Sequence, residues 1–238
     1  MTRSTDRRTD LAVAAGLAVA ALAFHWRLWL PAGQRWYFAG GDFVDQFYAF
    51  AGLEAAALAQ GRLPLWNPFA YAGAPFWADV QAAVAYPPSL AVVLGSLAVF
   101  GHLPFVALEA EAVAHVALAA IGTYRFALRV TRHRAAAVVG AVAFGGGGYL
   151  TGYPPLQLAV LESNAWLPWA LLGVERSLAA AADPARRRPF DPVLPVALGM
   201  SILAGHPQSA NYTLYAVAGY LAWRTRPWTA ARGGPGRR

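Results

Sequence analysis

Hydrophobic positions along this chain come in long runs separated by short polar gaps. The first run, Leu11 to Phe24, is extended by Trp26, Leu28, Trp29 and Leu30 and preceded by Arg3, Arg7 and Arg8. At 1.5 Å per residue it is long enough to cross a hydrocarbon core of roughly 30 Å. Ala21-Leu22-Ala23 also suits signal-peptide cleavage, but it lies inside the apolar run instead of after it. Either way, the chain beyond Leu30 starts outside the cytoplasm. Further runs cover about Pro104 to Leu128, Ala135 to Leu150, Ala165 to Leu178, Val193 to Leu203 and Tyr212 to Trp223. The pattern predicts an all-α fold, a polytopic transmembrane helical bundle of about six spans. Ser89 to Phe100 is a shorter run, bounded by Pro87-Pro88 and by Gly101-His102-Leu103-Pro104. Its length suits a re-entrant or interfacial helix better than a span.

Composition supports the membrane reading. Of 238 residues, 58% are hydrophobic and 13% charged, against about 25% charged in an ordinary soluble domain. Disorder is excluded by the same numbers. Cysteine is absent, which rules out disulfides and thiolate metal sites. The 19 basic residues are all arginine and leave a net charge of +7. If Ser89 to Phe100 does not cross, sixteen of the nineteen fall on the cytoplasmic side and only Arg27, Arg35 and Arg62 outside. If it crosses, the last thirteen move outside, so the positive-inside rule selects six spans with both termini cytoplasmic. Arg186, Arg187 and Arg188 then read as an inside anchor, not a nucleic-acid patch.

That topology gathers the distinctive chemistry on the outer face. The first outer loop, residues 31–103, is rich in Trp, Tyr, Phe and Pro, and should hold short helices lying at the membrane surface. Asp42 and Asp45, spaced i, i+3, share a face if Phe43 begins a helix, with Asp42 as its N-cap and Gln46 on the Asp42 side. A capping acid is the structural alternative to a site. Beside an apolar surface such carboxylates gain proton affinity or bind a cation, which suits a general base or a divalent ion held against a phosphate. Asp79 and Gln81 could face the same cavity or form a solvated loop. Trp66 and Asn67, in LPLWNP, read as a packed turn or as an aromatic shelf for a sugar ring.

Glu109, Glu111 and His115 fall inside the second span, where ionisable groups are costly and suggest function. Glu111 and His115, at i, i+4, can also neutralise each other. His206 and Gln208 in GHPQ stand where the fifth span meets the outer surface, and Glu162 and Asn164 at the outer start of the fourth, as caps or cavity liners. Gly145 to Gly148 lacks the Lys and Ser/Thr of a phosphate loop and reads as a helix terminus. His25, His102 and His133 have no companions at ligand spacing. Gly-x-Ser-x-Gly and His-Glu-x-x-His patterns are absent, which removes common hydrolase readings.

The ordered set GGDFVDQF, GRLPLWNPFAYAGAPFWADVQAAVAYPP, HVALAAIGTYRFALR, SNAWLPWALLGVER and AGHPQSANYTLY resembles the bacterial YfhO-type membrane proteins over about residues 38 to 223. That family looks like polytopic GT-C class glycosyltransferases, which take a sugar from a polyprenyl-phosphate carrier outside the cytoplasmic membrane and add it to a cell-surface polymer or lipid acceptor. By the resemblance Asp42 is the first-loop acid and catalytic base, Gln46 the glutamine that follows it, and Asp45 a second acid. Asp79, Tyr86, His115, His206 and Gln208 fall on other recurring elements. The resemblance implies a GT-C-like domain over 1–225 and, for some members, a divalent cation, Mg or Mn, for which Asp42 and Asp45 are the candidate ligands. Family members are longer, so the domain is expected to be incomplete, with 226–238 a disordered cytoplasmic tail.

The expected chemistry is inverting sugar transfer at the outer face of a bacterial cytoplasmic membrane. Asp42 would deprotonate the acceptor, and Arg35 or Arg62 would meet the lipid phosphate. Trp66, Asn67, Gln81 and Glu111 complete the expected substrate-binding set. The partners are the bilayer, the lipid-linked donor and an envelope acceptor, with no nucleic acid. The competing expectation is a non-catalytic transporter or assembly protein that binds lipid-linked glycans, with Glu111 and His115 near the midplane.

Overall fold

In a computed structural model the chain is described over residues 2–31, 33–38, 40–152, 156–182 and 191–226, with side chains from residue 7 onward. Arg186 to Arg188 and the tail beyond Arg226 lie outside the described residues. The described chain is mostly helical. Helix α1 (Thr2–Phe24) runs into a 3-10 turn at Trp26–Trp29. The first long loop then forms a helix over residues 43–59, opening as a π-turn at Phe43–Tyr48 and continuing as α2 (Ala49–Ala59). Next comes a two-residue hairpin, β1 (Trp66–Asn67) antiparallel to β2 (Ala74–Pro75), with Trp66 opposite Pro75. A 3-10 turn at Val80–Ala82 leads to α3 (Pro87–Phe100). The loop therefore does hold short helices.

Helix α4 (Phe105–Thr131) is the centre of the molecule. Its Ala, Val and Leu content favours helix, it starts where Pro104 sits in extended conformation, and it stops at Arg132 in the left-handed region. His133 then caps α5 (Arg134–Gly145) by accepting the Ala136 N–H at 3.3 Å. The two helices pack antiparallel at van der Waals range. A Cβ on Gly145 would come within 2.6 Å of Ala120 Cβ, so only glycine permits this approach. The apolar run expected over Ala135 to Leu150 is broken here, because α5 ends and α6 (Gly148–Thr151) restarts in a new direction.

Helices α7 (Leu158–Ala165) and α8 (Leu167–Ala181) meet at Trp166, with Pro168 in the first turn of α8. Helices α9 (Val193–Leu203) and α10 (Pro207–Thr225) close the bundle. The main core joins α1, the 43–59 helix, α4 and α7 through Ala21, Phe43, Phe47, Leu108, Val113 and Leu161.

Among the described residues one helix, α4, is long and apolar enough to cross a membrane. Helices α3, α5 and α9, with 14, 12 and 11 residues, reach only about 21, 18 and 17 Å at 1.5 Å per residue. The outward faces are nonetheless apolar. Val19, Leu22, Val139, Val142, Ile202 and Trp223 are all exposed, on α1, α5, α9 and α10.

Candidate functional site

The entrance of the 43–59 helix decides what Asp42 can do. Asp42 has helical backbone angles and makes no capping hydrogen bond, which corrects the expectation of an N-cap. The reason lies in the first turn: the Gly41 carbonyl takes the N–H groups of both Val44 (2.9 Å) and Asp45 (2.8 Å). Those donors are satisfied without the side chain, and the carboxylate is released. Asp42 is exposed, and its Oδ2 accepts from the Gln157 amide at 2.5 Å, a contact between the first long loop and the residue that precedes α7. Asp45 is exposed beside it. One turn on, Gln46 Nε2 donates to Gln81 Oε1 at 2.8 Å. Gln81 is held in turn by Asp79, whose Oδ1 accepts the Gln81 N–H at 2.9 Å as the cap of the Val80–Ala82 turn. Asp79 is thus a positioning acid.

Beneath this rim lies a buried relay. Tyr86, fully buried, pairs with His115 Nε2 at 2.7 Å and accepts from Trp166 Nε1 at 2.8 Å. His115 Nδ1 sits 2.9 Å from the Glu111 backbone carbonyl. A carbonyl only accepts, so Nδ1 carries the proton and Nε2 receives the Tyr86 hydroxyl hydrogen. Burial, together with the negative charges of Glu162 and Glu111, pushes the Tyr86 phenol up, which keeps it a donor. The expected side-chain pairing of Glu111 with His115 does not form. The imidazole takes the backbone of Glu111, and the carboxylate turns instead to the Ser89 hydroxyl, which donates to Glu111 Oε1 at 2.5 Å.

Ser89 Oγ also lies 3.2 Å from Glu162 Oε1. Glu54, Ser89, Glu111 and Glu162 line one cavity of about 30 Å³ with Gln81, Phe47 and Phe50. No arginine, lysine or histidine lines it among the described residues. Burial and the nearby Glu111 charge push the Glu54 carboxyl up to about 7. Glu111, His115 and Glu162 each place one ligand atom within 4.8 Å of the others. Asp42 and Asp45 are not part of that group.

The turn between α9 and α10 closes over the first long loop. Gly205, at φ +81°, brings the GHPQ turn so near the Val80–Ala82 turn that a Cβ there would stand 2.2 Å from the Val80 carbonyl. His206 caps α10: its Nδ1 accepts the Ser209 N–H at 3.2 Å. Burial lowers its pKa, which keeps it an acceptor. Gln208 is exposed and donates to Tyr212 at 2.7 Å. Asn67 is buried and accepts the Phe69 N–H at 2.9 Å, and Trp66 is stacked over Gly73. Asn67 thus fixes the turn, while Trp66 is exposed. Neither Arg35 nor Arg62 is bonded to Asp42. Arg35 is ion-paired with Glu109, whose other oxygen accepts the Phe38 N–H at 2.9 Å. Arg62 bonds to Gln60, about 27 Å from Asp42 along a helix of 1.5 Å rise.

Sequence reasoning missed Glu54, Ser89, Gln157 and Trp166. Glu54 did leave a signal, as the single charge in the apolar helix AFAGLEAAALA. Ser89, Gln157 and Trp166 left none, because their roles come from tertiary contacts 22 to 115 residues away. The chain matches no family model, no curated protein and no solved structure.

Proposed function

We propose that this chain is a polytopic, GT-C-like sugar transferase of the YfhO type, working at the outer face of a bacterial cytoplasmic membrane. The donor is a polyprenyl-phosphate-linked sugar and the acceptor an envelope polymer or lipid hydroxyl. The observation that carries the reading is the Asp42 carboxylate, free of capping because Gly41 takes the first-turn N–H groups, and exposed at the rim where outer loops meet. π-Turns inside helices occur frequently at functional sites. Asp42 takes the acceptor proton as its oxygen attacks the anomeric carbon, and the bond to the lipid phosphate breaks on the opposite side. Gln157 and Gln46 orient the carboxylate and the acceptor.

Six spans remain the reading for the bundle, with the short apolar helices joined to their neighbours and the exposed apolar faces turned to lipid. An open groove beside α2, lined by Leu53, Leu63, Leu65, Trp66 and Phe69, suits a polyprenyl chain. Depth argues against the transporter alternative. Glu111 stands six residues into the 27-residue α4, about 9 Å from its start and well short of the helix midpoint. A transport site belongs near the middle.

The experiment is Asp42→Asn in the purified chain, assayed for transfer from a polyprenyl-phosphate sugar. Transfer should fall by about 10²–10⁴-fold, the usual contribution of a general base, with folding unchanged. Full-rate transfer by the variant would remove the assignment.

A further inference from the structure

The buried acids carry a second inference, which does not depend on sugar transfer. Glu54 and Glu111 are each only 3% exposed, and Glu162 2%. Glu54 Oε1 and Glu111 Oε2 have no hydrogen-bond partner, although both residues line the same cavity. A buried carboxylate oxygen left without a donor is costly, and here two belong to residues that line one small space, with the Glu162 carboxyl as an acidic neighbour in hydrogen-bonding reach of Glu111. The polar groups around that space are oxygens: three carboxylates, the Ser89 hydroxyl and the Gln81 amide. His115 does not compete for the role, because its Nε2 lone pair is taken by Tyr86.

We propose that Glu111 and Glu162, whose ligand atoms lie within 4.8 Å of each other, form with the Ser89 hydroxyl and the Glu54 carboxyl of the same cavity a binding site for one divalent cation. An all-oxygen donor set selects a hard ion, Mg²⁺, Mn²⁺ or Ca²⁺, over zinc or copper. The cavity of about 30 Å³ has room for an ion or one to two waters and excludes a sugar or lipid group. Charge points the same way. Three carboxyl groups with no cationic neighbour in the lining must either stay protonated or be balanced by a bound ion. The ion would ligate α2, α3, α4 and α7 at once, locking the first outer loop onto the bundle. It therefore acts on the architecture under the rim and is separate from any ion held by Asp42 and Asp45.

The test is a titration of Mn²⁺ into the chelator-stripped chain in detergent, followed by the loss of the free-ion electron paramagnetic resonance signal. One Mn²⁺ per chain is expected, with a Kd inside the micromolar to millimolar span of roughly 10⁻⁶–10⁻³ M that oxygen cages cover. Glu54→Gln and Glu111→Gln should each weaken binding by at least about tenfold, the lower bound seen even for outer-shell partners. Asp42→Asn should leave it unchanged. Mn²⁺ should also raise the wild-type Tm, and this shift decides the matter if a variant fails to fold. A titration with no bound Mn²⁺ at millimolar concentration and no Tm shift would overturn the proposal. So would binding that survives both glutamate substitutions or is lost with Asp42→Asn.

Discussion

The two ends of α4 treat acidic residues in opposite ways. Toward its C-terminal end the bundle pairs its acids: Asp191 accepts from Arg176 at 2.8 Å, Asp10 from Arg134 at 3.1 Å, and Glu175 is bridged to Arg224. Arg129 and Arg132 line the surface beside Glu175. Toward the N-terminal end, among the described residues, Glu109 is paired with Arg35, and Glu54, Glu111 and Glu162 are buried in a cavity with no arginine in its lining. Paired charge near a surface is ordinary structural chemistry of modest value. Buried, uncompensated charge works against folding, so its concentration at one end marks where the molecule trades stability for another purpose.

That contrast breaks most visibly at the rim. Asp42→Asn should cost about 10²–10⁴-fold in transfer rate, whereas Arg132→Ala, just past the C-terminal end of α4, should leave the rate of the folded protein unchanged. Parallel assays of the two variants decide this. Next in size is Tyr86→Phe, which strips the hydroxyl from between Trp166 and His115. Leaving that buried donor and acceptor unpaired should cost about 1–3 kcal/mol, read from chemical denaturation.

Stability changes of opposite sign sharpen the comparison further. Asp191→Ala removes both the Arg176 partner and the acceptor for the Val193 N–H at 3.0 Å at the start of α9. A loss of about 1 kcal/mol is expected, as for a helix cap. Glu54→Gln should instead stabilise the chelator-stripped protein above about pH 7, because there it removes a buried charge beside Glu111. The smallest effect is the pH dependence. The Glu54 carboxyl is raised from 4.5 to about 7 in the folded chain, so over that window the folded state holds a proton that the unfolded state has lost. Stability in chelator should therefore fall as pH rises from about 4.5 to about 7 and then level off. Glu54→Gln should flatten that step in a Tm-versus-pH series.

The sequence made the helical class and the acid-bearing loop legible because both are local. Apolar runs report helices, and GGDFVDQF announces a loop-to-helix junction with two acids. The freedom of the Asp42 side chain was not legible, since a capping acid and a released acid are spelled alike; the difference is which N–H groups Gly41 takes. The breaks at Gly145 and Trp166 depend on close packing against α4 and on a proline in the next turn. The acid cavity was the hardest to see. Glu54, Ser89, Glu111 and Glu162 come from four helices, and Glu111 stood four residues from a histidine that offered an obvious but wrong partner.

The central claim, that the acid-rich end faces outward and the arginine-rich end the cytoplasm, has a direct test because the chain has no native cysteine. Gln208→Cys and Arg132→Cys place single thiols at exposed positions on the two ends. With an impermeant thiol reagent added to intact cells, the cysteine at 208 should be labelled and the one at 132 should react only after lysis. Labelling of 132 on intact cells, with 208 protected until lysis, would contradict the account.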